Sequence, residues 1–211
     1  APIAAPSPPD WISLTDPRRE SATELGLQAL RRGEVAVLMV AGGVGTRLGH
    51  VGPKGSYPLL PISGGTLFQI FAESLVRLQK QVGHSIHWII MTSPSNHQQT
   101  IDYFQQHSFH GLAPSEVTIH AQDQLPVLDP RRRKILRAGP GQILFSPDGH
   151  GGSIRLLQKI SEDLRERGIR HIYSHQVDNP LARIADPELV GLHLRDDSRF
   201  SSKAVAKSDP E

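Results

Sequence analysis

A glycine-rich segment, residues 41–55, carries one arginine and one lysine among its small residues. It reads Ala-Gly-Gly-Val-Gly-Thr-Arg-Leu-Gly over residues 41–49 and Pro-Lys-Gly over residues 53–55. Glycines let backbone N–H groups approach an anion closely, because no Cβ intervenes. Arg47 and Lys54 add positive charge, and an arginine can bind two phosphate oxygens at once. The segment therefore predicts a binding site for a phosphate chain such as a triphosphate.

Two better-known glycine motifs fit this segment poorly. The Walker A motif requires Gly-Lys-Ser/Thr, whereas Pro53 precedes Lys54 and Gly55 follows it. The dinucleotide-binding fingerprint requires a glycine where Leu48 stands and a carboxylate about 20 residues further on. The first carboxylate after the segment is Glu73. A phosphate cradle of another kind is the favoured interpretation, and glycines that only form tight turns are the alternative.

Helices and strands are predicted to alternate around this segment. Apolar runs predict strands over residues 35–40, 86–91, 117–121 and 169–174. Helical periodicity predicts helices over residues 18–32, 66–82, 95–107, 151–167 and 187–194, with Thr66 and Ser95 as expected N-caps. This order predicts an α/β fold with a mostly parallel sheet and helices on both faces. Ligands bind beyond the carboxyl ends of strands in such sheets, so functional residues are expected just after each strand.

Three stretches lie outside this alternation. Residues 1–17 are expected to form a loosely draped N-terminal arm, and residues 18–211 one domain. Residues 125–144 mix proline, glycine and basic residues with short apolar pieces, and a hairpin inserted over the site is the favoured interpretation. A further strand is expected to begin at residue 201.

Composition excludes several functional classes. The hydrophobic fraction is 37% and the charged fraction 21%, which are ordinary for a soluble globular protein. A net charge of +2 with 5% aromatic residues argues against a nucleic-acid partner. No stretch approaches the ~20 apolar residues of a membrane span. The absence of cysteine excludes thiolate catalysis and fits a cytoplasmic location.

The glycine-rich segment and the segments after it occur in the order found in one enzyme family. Residues 41–55 resemble the A-G-G-x-G-T-R-L-G-x-x-x-P-K-G signature of eukaryotic-type UDP-N-acetylhexosamine pyrophosphorylases and their UDP-sugar pyrophosphorylase relatives. Further on, the chain resembles the family's T-L-F-Q-I-x-A-E, M-T-S, P-D-G-N-G-G, V-D-N and A-K-x-V-x-K-x-x-P-x-E segments, at residues 66–73, 91–93, 146–152, 177–179 and 202–211. The resemblance covers nearly the whole chain from about residue 20 onward.

The resemblance implies a Rossmann-like (GT-A-like) nucleotidyltransferase fold and uridylyl transfer from UTP to a sugar 1-phosphate, with release of pyrophosphate. N-acetylglucosamine 1-phosphate is the favoured acceptor. His150 stands where the N-acetylhexosamine enzymes usually carry Asn, so glucose 1-phosphate or several sugars are the alternative. A non-catalytic UDP-sugar-binding module is the alternative of another class. Family members continue past residue 211, with sugar-pocket strands and a C-terminal domain, so we expect weak or no turnover from residues 1–211 alone.

The resemblance also implies roles for individual residues. Arg47 would hold the departing pyrophosphate and Lys54 would bind the α-phosphate, which makes these two the expected catalytic residues. Asp178 would hold Mg²⁺ (or Mn²⁺), which prefers oxygen ligands and few protein contacts; without the resemblance it reads as an ordinary turn aspartate. Gln122 would read uracil, because an amide offers both a donor and an acceptor. The other implied nucleotide contacts are Ala41, Gly42, Gly43, Pro147 and Gly149, and those on the sugar-phosphate side are His150 and Asn179.

Overall fold

The computed structural model describes residues 12–204, except residues 14 and 132, and contains ten strands and six α-helices in that part of the chain. The strands are β1 (Val35–Val40), β2 (Trp88–Thr92), β3 (Val117–Ala121), β4 (Gln124–Pro126), β5 (Leu128–Asp129), β6 (Lys134–Ile135), β7 (Arg137–Gly139), β8 (Gln142–Ile143), β9 (Phe145–Pro147) and β10 (His171–Gln176). The helices are α1 (Arg18–Arg31), α2 (Leu67–Val82), α3 (His97–Gln106), α4 (Gly152–Lys159), α5 (Ser161–Glu166) and α6 (Pro187–Arg195).

The central sheet has four strands in the order β10-β1-β2-β3, and every neighbouring pair is parallel. Val35 of β1 lies opposite His171 of β10, and Val37 lies opposite Trp88 of β2. Continuous apolar runs form β1 and β2 because both faces of these strands are buried. The α/β fold class predicted from the sequence is confirmed.

Helices cover both faces of the sheet. Val35, Val37 and Met39 point into one apolar cluster, together with residues of α1, α2, α3 and α6. Ala36 and Leu38 point into a second cluster, with residues of α4 and α5. This alternation is the period-two pattern of a strand, and it divides the core into two layers.

Residues next to its two ends cap helix α2. The hydroxyl of Thr66 accepts the backbone N–H of Gln69 at 3.2 Å, as an N-cap does. Gly83 ends the helix in the left-handed conformation, with φ of 73°. The helix carries the apolar face that fills the first core cluster beneath β1.

Helices α1 and α6 approach closely through two glycines. A Cβ added to Gly26 would lie 1.8 Å from the carbonyl oxygen of Pro187. A Cβ added to Gly191 would lie 1.6 Å from the carbonyl oxygen of Ala22. The helix backbones therefore touch where both glycines lie, and neither position has room for a side chain.

Several predicted elements differ from the observed ones. Helix α3 begins after Asn96, so Ser95 is not its N-cap as predicted. The predicted helix over residues 151–167 is two helices, because Ile160 leaves the helical conformation at φ of −100° and ψ of 8°. The predicted hairpin is three short antiparallel pairs, β4–β9, β5–β6 and β7–β8.

Other expectations fall wholly or partly outside the described residues. Most of the predicted arm over residues 1–17 lies there, as does the predicted strand from residue 205 onward. Residues 201–204, where that strand was expected to begin, form no strand. Among the described residues, no helix is both long and apolar enough to cross a membrane.

Candidate active site

The residues that follow the four parallel strands meet at one edge of the sheet. Main-chain hydrogen bonds extend the ladders just past the strand ends. The N–H of Ala41 donates to Met91 at 2.7 Å, that of Gln122 to Thr92 at 2.8 Å, and that of Val177 to Val40 at 3.0 Å. The sheet thus brings the glycine-rich segment, Gln122 and Asp178 to the same edge, where parallel sheets bind ligands.

The glycine-rich segment, residues 41–55, is closed at its base by main-chain contacts. Val44 and Pro53 form an antiparallel bridge, and the N–H of Lys54 donates to the carbonyl of Gly43 at 3.1 Å. Gly55 packs directly beneath α2, since a Cβ there would lie 2.1 Å from Phe68. These contacts fix the backbone on either side of Lys54.

Lys54 forms an ion pair with Asp178. The lysine Nζ lies 2.9 Å from Asp178 Oδ2, and the two side chains are 29% and 51% exposed. The pair joins the segment after β1 to the segment after β10. Both groups remain accessible to solvent, so an anion could reach the lysine and a cation could reach the carboxylate.

Arg47 lies apart from this pair, on the short 3₁₀ turn Thr46–Leu48. Its side chain is exposed and, within the described residues, makes no hydrogen bond or ion pair. The structure therefore places Arg47 on the same glycine-rich segment as Lys54 but not in contact with Lys54 or Asp178.

Asn96 is a site residue that the sequence did not single out. Its side chain is fully buried, and its Nδ2 donates to the carbonyls of Ala41 and Gly43, each at 3.0 Å. Its Oδ1 accepts from the backbone N–H of Ser93 at 2.9 Å and from the Ser93 hydroxyl at 3.0 Å. Asn96 therefore ties the segment after β1 to the segment after β2. The one signal in the sequence was an amide next to Ser95, the residue predicted to cap the helix.

Gln122 packs against the backbone of Gly42. The glutamine is 8% exposed, and a Cβ added to Gly42 would lie 2.8 Å from Gln122 Oε1 and 3.3 Å from the backbone nitrogen of Ser93. Gly42 consequently has to lack a side chain for the two strand ends to approach each other. The Nε2 of Gln122 lies 3.4 Å from Asp148 Oδ1.

Residues 147–152 form a turn beside Gln122. Pro147 pairs with Gln124 in the β4–β9 ladder, and the N–H of Asp148 donates to the carbonyl of Asp123 at 3.1 Å. Gly149 has φ of 71°, in the left-handed region that glycine adopts without strain. His150 is exposed, and its carbonyl accepts from Ser153 at the start of α4. The structure thus gathers Pro147, Gly149 and His150 on one turn.

Asn179 is exposed and engaged within its own turn. Its Oδ1 accepts from the N–H of Leu181 at 3.2 Å, and its carbonyl accepts from Ala182. Asp178 and Asn179 also line a cleft of about 860 Å³ along the outer edge of β10, with α6 and residues 199–203 opposite. The other predicted site residues do not line that cleft, and the Lys54–Asp178 ion pair connects the glycine-rich segment to its rim.

Asp178 is the only carboxylate predicted for a metal. In the described part of the chain, no three His, Cys, Asp or Glu residues are grouped so that they could hold an ion. An exposed carboxylate beside the glycine-rich segment nevertheless fits Mg²⁺, which is often held by one or two carboxylates plus substrate phosphates. These residues therefore do not form a structural metal site with several protein ligands.

One histidine beneath the site is strongly perturbed. Burial lowers the pKa of His175 to about 4, and a hydrogen bond to the Gln176 carbonyl opposes this only in part. Its ring packs edge-on against Phe71 with centroids 4.8 Å apart, and its Nε2 is buried without a hydrogen-bond partner. His175 is thus a neutral core residue, and it does not reach the ion pair.

The chain is similar in sequence to known proteins over most of its length. Residues 12–211 match the model of a protein family described as UTP–glucose-1-phosphate uridylyltransferase. The UDP-N-acetylglucosamine pyrophosphorylase of Saccharomyces cerevisiae is 43% identical, over 88% of this chain and 40% of the yeast protein. The UDP-N-acetylglucosamine diphosphorylase 1 of Arabidopsis thaliana is 34% identical, over 100% of this chain and 45% of the plant protein. The chain thus spans less than half the length of these relatives.

Solved structures show the same fold. The uridine diphosphate N-acetylglucosamine pyrophosphorylase of Trypanosoma brucei superposes with a TM-score of 0.80 at 28% identity, covering 85% of this chain and 39% of that one. A UDP-glucose pyrophosphorylase of Leishmania major superposes with a TM-score of 0.65 at 22% identity, over 79% of this chain and 35% of that one. The nucleotidyltransferase fold and the family resemblance predicted from the sequence are both confirmed: the chain belongs to the UTP–glucose-1-phosphate uridylyltransferase family.

Proposed function

We propose that the chain binds UTP at its glycine-rich segment and serves transfer of the uridylyl group to N-acetylglucosamine 1-phosphate. The products are UDP-N-acetylglucosamine and pyrophosphate. The observation that carries the proposal is the 2.9 Å contact between Lys54 and Asp178, which sets a cationic and an anionic group side by side at the sheet edge. Relatives at 34–43% identity bear the name of this pyrophosphorylase or diphosphorylase, which supports the choice of sugar.

The proposed reaction is an in-line displacement at the α-phosphorus of UTP. A phosphate oxygen of the sugar 1-phosphate forms the new bond, the bond from the α-phosphorus to the bridging oxygen breaks, and pyrophosphate leaves with that electron pair. Lys54 binds the α-phosphate, whose oxygens carry negative charge in the transition state. Arg47 binds the departing pyrophosphate. Neither side chain forms a covalent bond. Their contribution is alignment and neutralisation of charge.

Asp178 would hold Mg²⁺ or Mn²⁺ together with phosphate oxygens, and the cation would there offset the charge of the polyphosphate. On ligand binding Lys54 would pair with a phosphate instead of Asp178, which would leave the Asp178 carboxylate free to hold the cation. An exposed ion pair contributes only about 0–1 kcal/mol, so its exchange costs little. The Lys54–Asp178 pair holds both groups in place before UTP arrives.

The base of UTP would lie against Gly42 and Gln122, on the other side of the glycine-rich segment from Asp178. In this proposal Ala41, Gly43, Pro147 and Gly149 complete the nucleotide contacts through backbone and small side chains. His150 and Asn179 face the sugar phosphate. The absence of a Cβ at Gly42 lets the Gln122 amide lie directly against the glycine-rich segment, where the base would meet it. As part of the same proposal we place the protein in the cytoplasm, in keeping with a chain that has no cysteine.

Calorimetric titration of this chain with UTP, UDP-N-acetylglucosamine and ATP in the presence of Mg²⁺ tests the nucleotide site. We expect the two uracil compounds to bind and ATP to bind at least about tenfold more weakly, because a purine cannot occupy a position that fits a pyrimidine beside Gln122. Equal affinity for ATP and UTP would contradict a uridine site. Titration with pyrophosphate alone separates the contribution of the phosphates from that of the base.

Glucose 1-phosphate is the second candidate acceptor, favoured by His150 on the exposed turn at residues 147–152 and by the description of the matching family. Separate titrations with the two acceptors distinguish the candidates. The chain is saturated with UTP and Mg²⁺ and then titrated with N-acetylglucosamine 1-phosphate or glucose 1-phosphate. Tighter binding of glucose 1-phosphate would replace our first choice of sugar while leaving the UTP site unchanged.

A further inference from the structure

Asp148 is a buried carboxylate beside the proposed base-binding residue. Its side chain is 2% exposed, although the turn that carries it lies at the surface. Oδ1 lies 3.4 Å from Gln122 Nε2, and Oδ2 is buried without a hydrogen bond. The guanidinium of Arg155, 3.7 Å from Oδ2, supplies the compensating charge. Burying a charged carboxylate costs free energy. We therefore expect Asp148 to hold a neighbouring group in place.

The position of Asp148 is fixed by its surroundings. Its backbone N–H donates to the carbonyl of Asp123, the residue after Gln122. A Cβ added to Gly152, at the start of α4, would lie 2.1 Å from Asp148 Oδ1. The carboxylate therefore occupies space that only a glycine at residue 152 leaves open.

This contact decides which way the Gln122 amide faces. A carboxylate offers acceptors only, so the NH₂ group of the amide has to face Asp148. The amide oxygen then faces the opposite way, toward Gly42, in agreement with the 2.8 Å that would separate it from a Cβ there. Left free, the amide could turn and present either its donor or its acceptor to a ligand.

We propose that Asp148 is a positioning residue that holds the oxygen of Gln122 toward the nucleotide, so that the site selects uracil over cytosine. The ring nitrogen N3 of uracil carries a hydrogen and donates to that oxygen. The same nitrogen of cytosine is an acceptor, and it would face the oxygen without a hydrogen between them. A site built around one polar contact rejects a ligand that leaves the contact unpaired. The inference rests on the proposed UTP site and names the group that makes it base-specific.

The test compares dissociation constants for UTP and CTP, measured by calorimetry on the 211-residue chain with Mg²⁺ present. We expect the wild type to prefer UTP by about tenfold or more. Asp148→Asn keeps the size of the side chain but offers a donor as well as an acceptor, so the Gln122 amide is free to turn. The preference should then fall by at least about fivefold, mainly because CTP binds more tightly. Asp123→Asn removes a neighbouring carboxylate, which is paired with Lys159, and should leave the preference unchanged.

Gly152→Ala is a second variant, because its Cβ displaces the Asp148 carboxylate without changing its chemistry. We expect the same loss of preference. The side-chain amide of Gln122, observed by NMR, should change its shifts in both variants and not in Asp123→Asn. Thermal unfolding shows which variants are folded. One folded variant is sufficient to test the role of Asp148.

Each outcome bears on the proposal. A UTP preference that stays within about twofold of the wild type in a folded Asp148→Asn or Gly152→Ala variant overturns the role of Asp148 and leaves the UTP site standing. A wild-type chain that binds no UTP overturns the proposed function, and with it this inference. A wild type that binds UTP and CTP equally well overturns the inference alone.

Discussion

Lys54 Nζ lies 2.9 Å from Asp178 Oδ2, which joins the segments after two neighbouring parallel strands, β1 and β10. The two residues are far apart in the sequence, and the parallel pairing of β1 with β10 brings them together. A pair that is this exposed contributes little to folding, because solvent screens both charges. Its structural value is that it holds the lysine over the sheet edge.

We predict that Lys54→Ala weakens UTP binding by about tenfold to hundredfold, the loss expected for a charge-assisted contact to phosphate. The melting temperature should change little, since Lys54 is partly exposed and its ion pair is worth about 1 kcal/mol or less. Calorimetry and thermal unfolding measure the two effects. Lys80→Ala, an exposed lysine on α2, is the matched control. Unchanged UTP affinity in Lys54→Ala would remove this lysine from the phosphate site.

Asp178→Asn should remove the contribution of Mg²⁺ to UTP binding while leaving the binding of UTP itself. The amide keeps the size of the side chain but loses the charge that Mg²⁺ requires, so added Mg²⁺ should no longer strengthen UTP binding in this variant. UTP without Mg²⁺ should bind as well as to the wild type or better, because Lys54 is released from its partner. Titrations with and without Mg²⁺ measure the difference. A variant whose UTP affinity still rises with Mg²⁺ places the cation elsewhere.

Asn96→Ala should both destabilise the protein and weaken UTP binding. It removes the donor to the buried carbonyl of Ala41 and the acceptor for the buried N–H of Ser93, each at a cost of about 1–3 kcal/mol. The carbonyl of Gly43 keeps its second partner, the N–H of Lys54. Asn96→Asp is the sharper variant, because it retains an acceptor for Ser93 but turns an oxygen toward two carbonyls. We expect a larger loss of UTP affinity in Asn96→Asp than in Asn179→Ala, where the amide is exposed. Thermal unfolding and UTP titration of the three variants test the order.

Gly191→Ala should destabilise the contact between α1 and α6. The added Cβ would lie 1.6 Å from the carbonyl oxygen of Ala22, so the helices have to separate. Overpacking of this kind costs about 1–3 kcal/mol, measured as a lower denaturant midpoint. Gly151→Ala is the control, because it has a helical φ of −61° and nothing within 4 Å of the new Cβ. That control should be neutral or slightly stabilising, since alanine restricts the unfolded chain.

His175 should make the protein less stable in acid. The pKa of its imidazole is about 4 in the folded state because of burial, whereas that of an exposed histidine is about 6.5. Between these values the unfolded chain binds a proton that the folded chain does not, so stability is greatest above pH 6.5 and falls as the pH approaches 4. The loss attributable to this group is on the order of 3 kcal/mol.

The measurement is the free energy of unfolding of the wild type and of His175→Leu across that pH range. Burial also lowers the pKa of His87, which contributes a slope of the same sign in both proteins. The difference between the two curves therefore isolates His175. Parallel curves would show that the pKa of His175 is the same in the folded and the unfolded chain.

Local signals in the sequence were sufficient for much of the fold. The apolar run at Val35–Val40 predicted β1 with the observed bounds, and Thr66 was recognised as the cap of α2 because capping needs only neighbouring residues. The break at Ile160 was missed, because helical periodicity continues through it and no glycine or proline marks it. Asn96 was missed for a related reason. Its partners, Ala41 and Gly43, are distant in the sequence, and an asparagine before a helix ordinarily serves that helix.

For the candidate site, the sequence predicted which residues to expect but not which residues they contact. The rule that ligands bind after parallel strands directed attention to residues following β1, β3 and β10, and the structure places them at one edge. The ion pair of Lys54 with Asp178 and the contact of Gln122 with Asp148 depend on how the strands are ordered. Such contacts follow from three-dimensional packing, and no spacing along the chain reveals them.

The strand order β10-β1-β2-β3 has a consequence for how such a site can change over evolution. Gln122 follows the outer strand on one flank and Asp178 the outer strand on the other, with the glycine-rich segment between them. In the proposed site, substitutions near β3 would therefore alter which base is accepted without touching the side proposed to bind the phosphates and the cation. Combined variants from opposite flanks should give additive free energies, whereas Lys54 and Asp178 variants, which share a contact, should not. The proposed site would thus consist of two separable halves on either side of the glycine-rich segment.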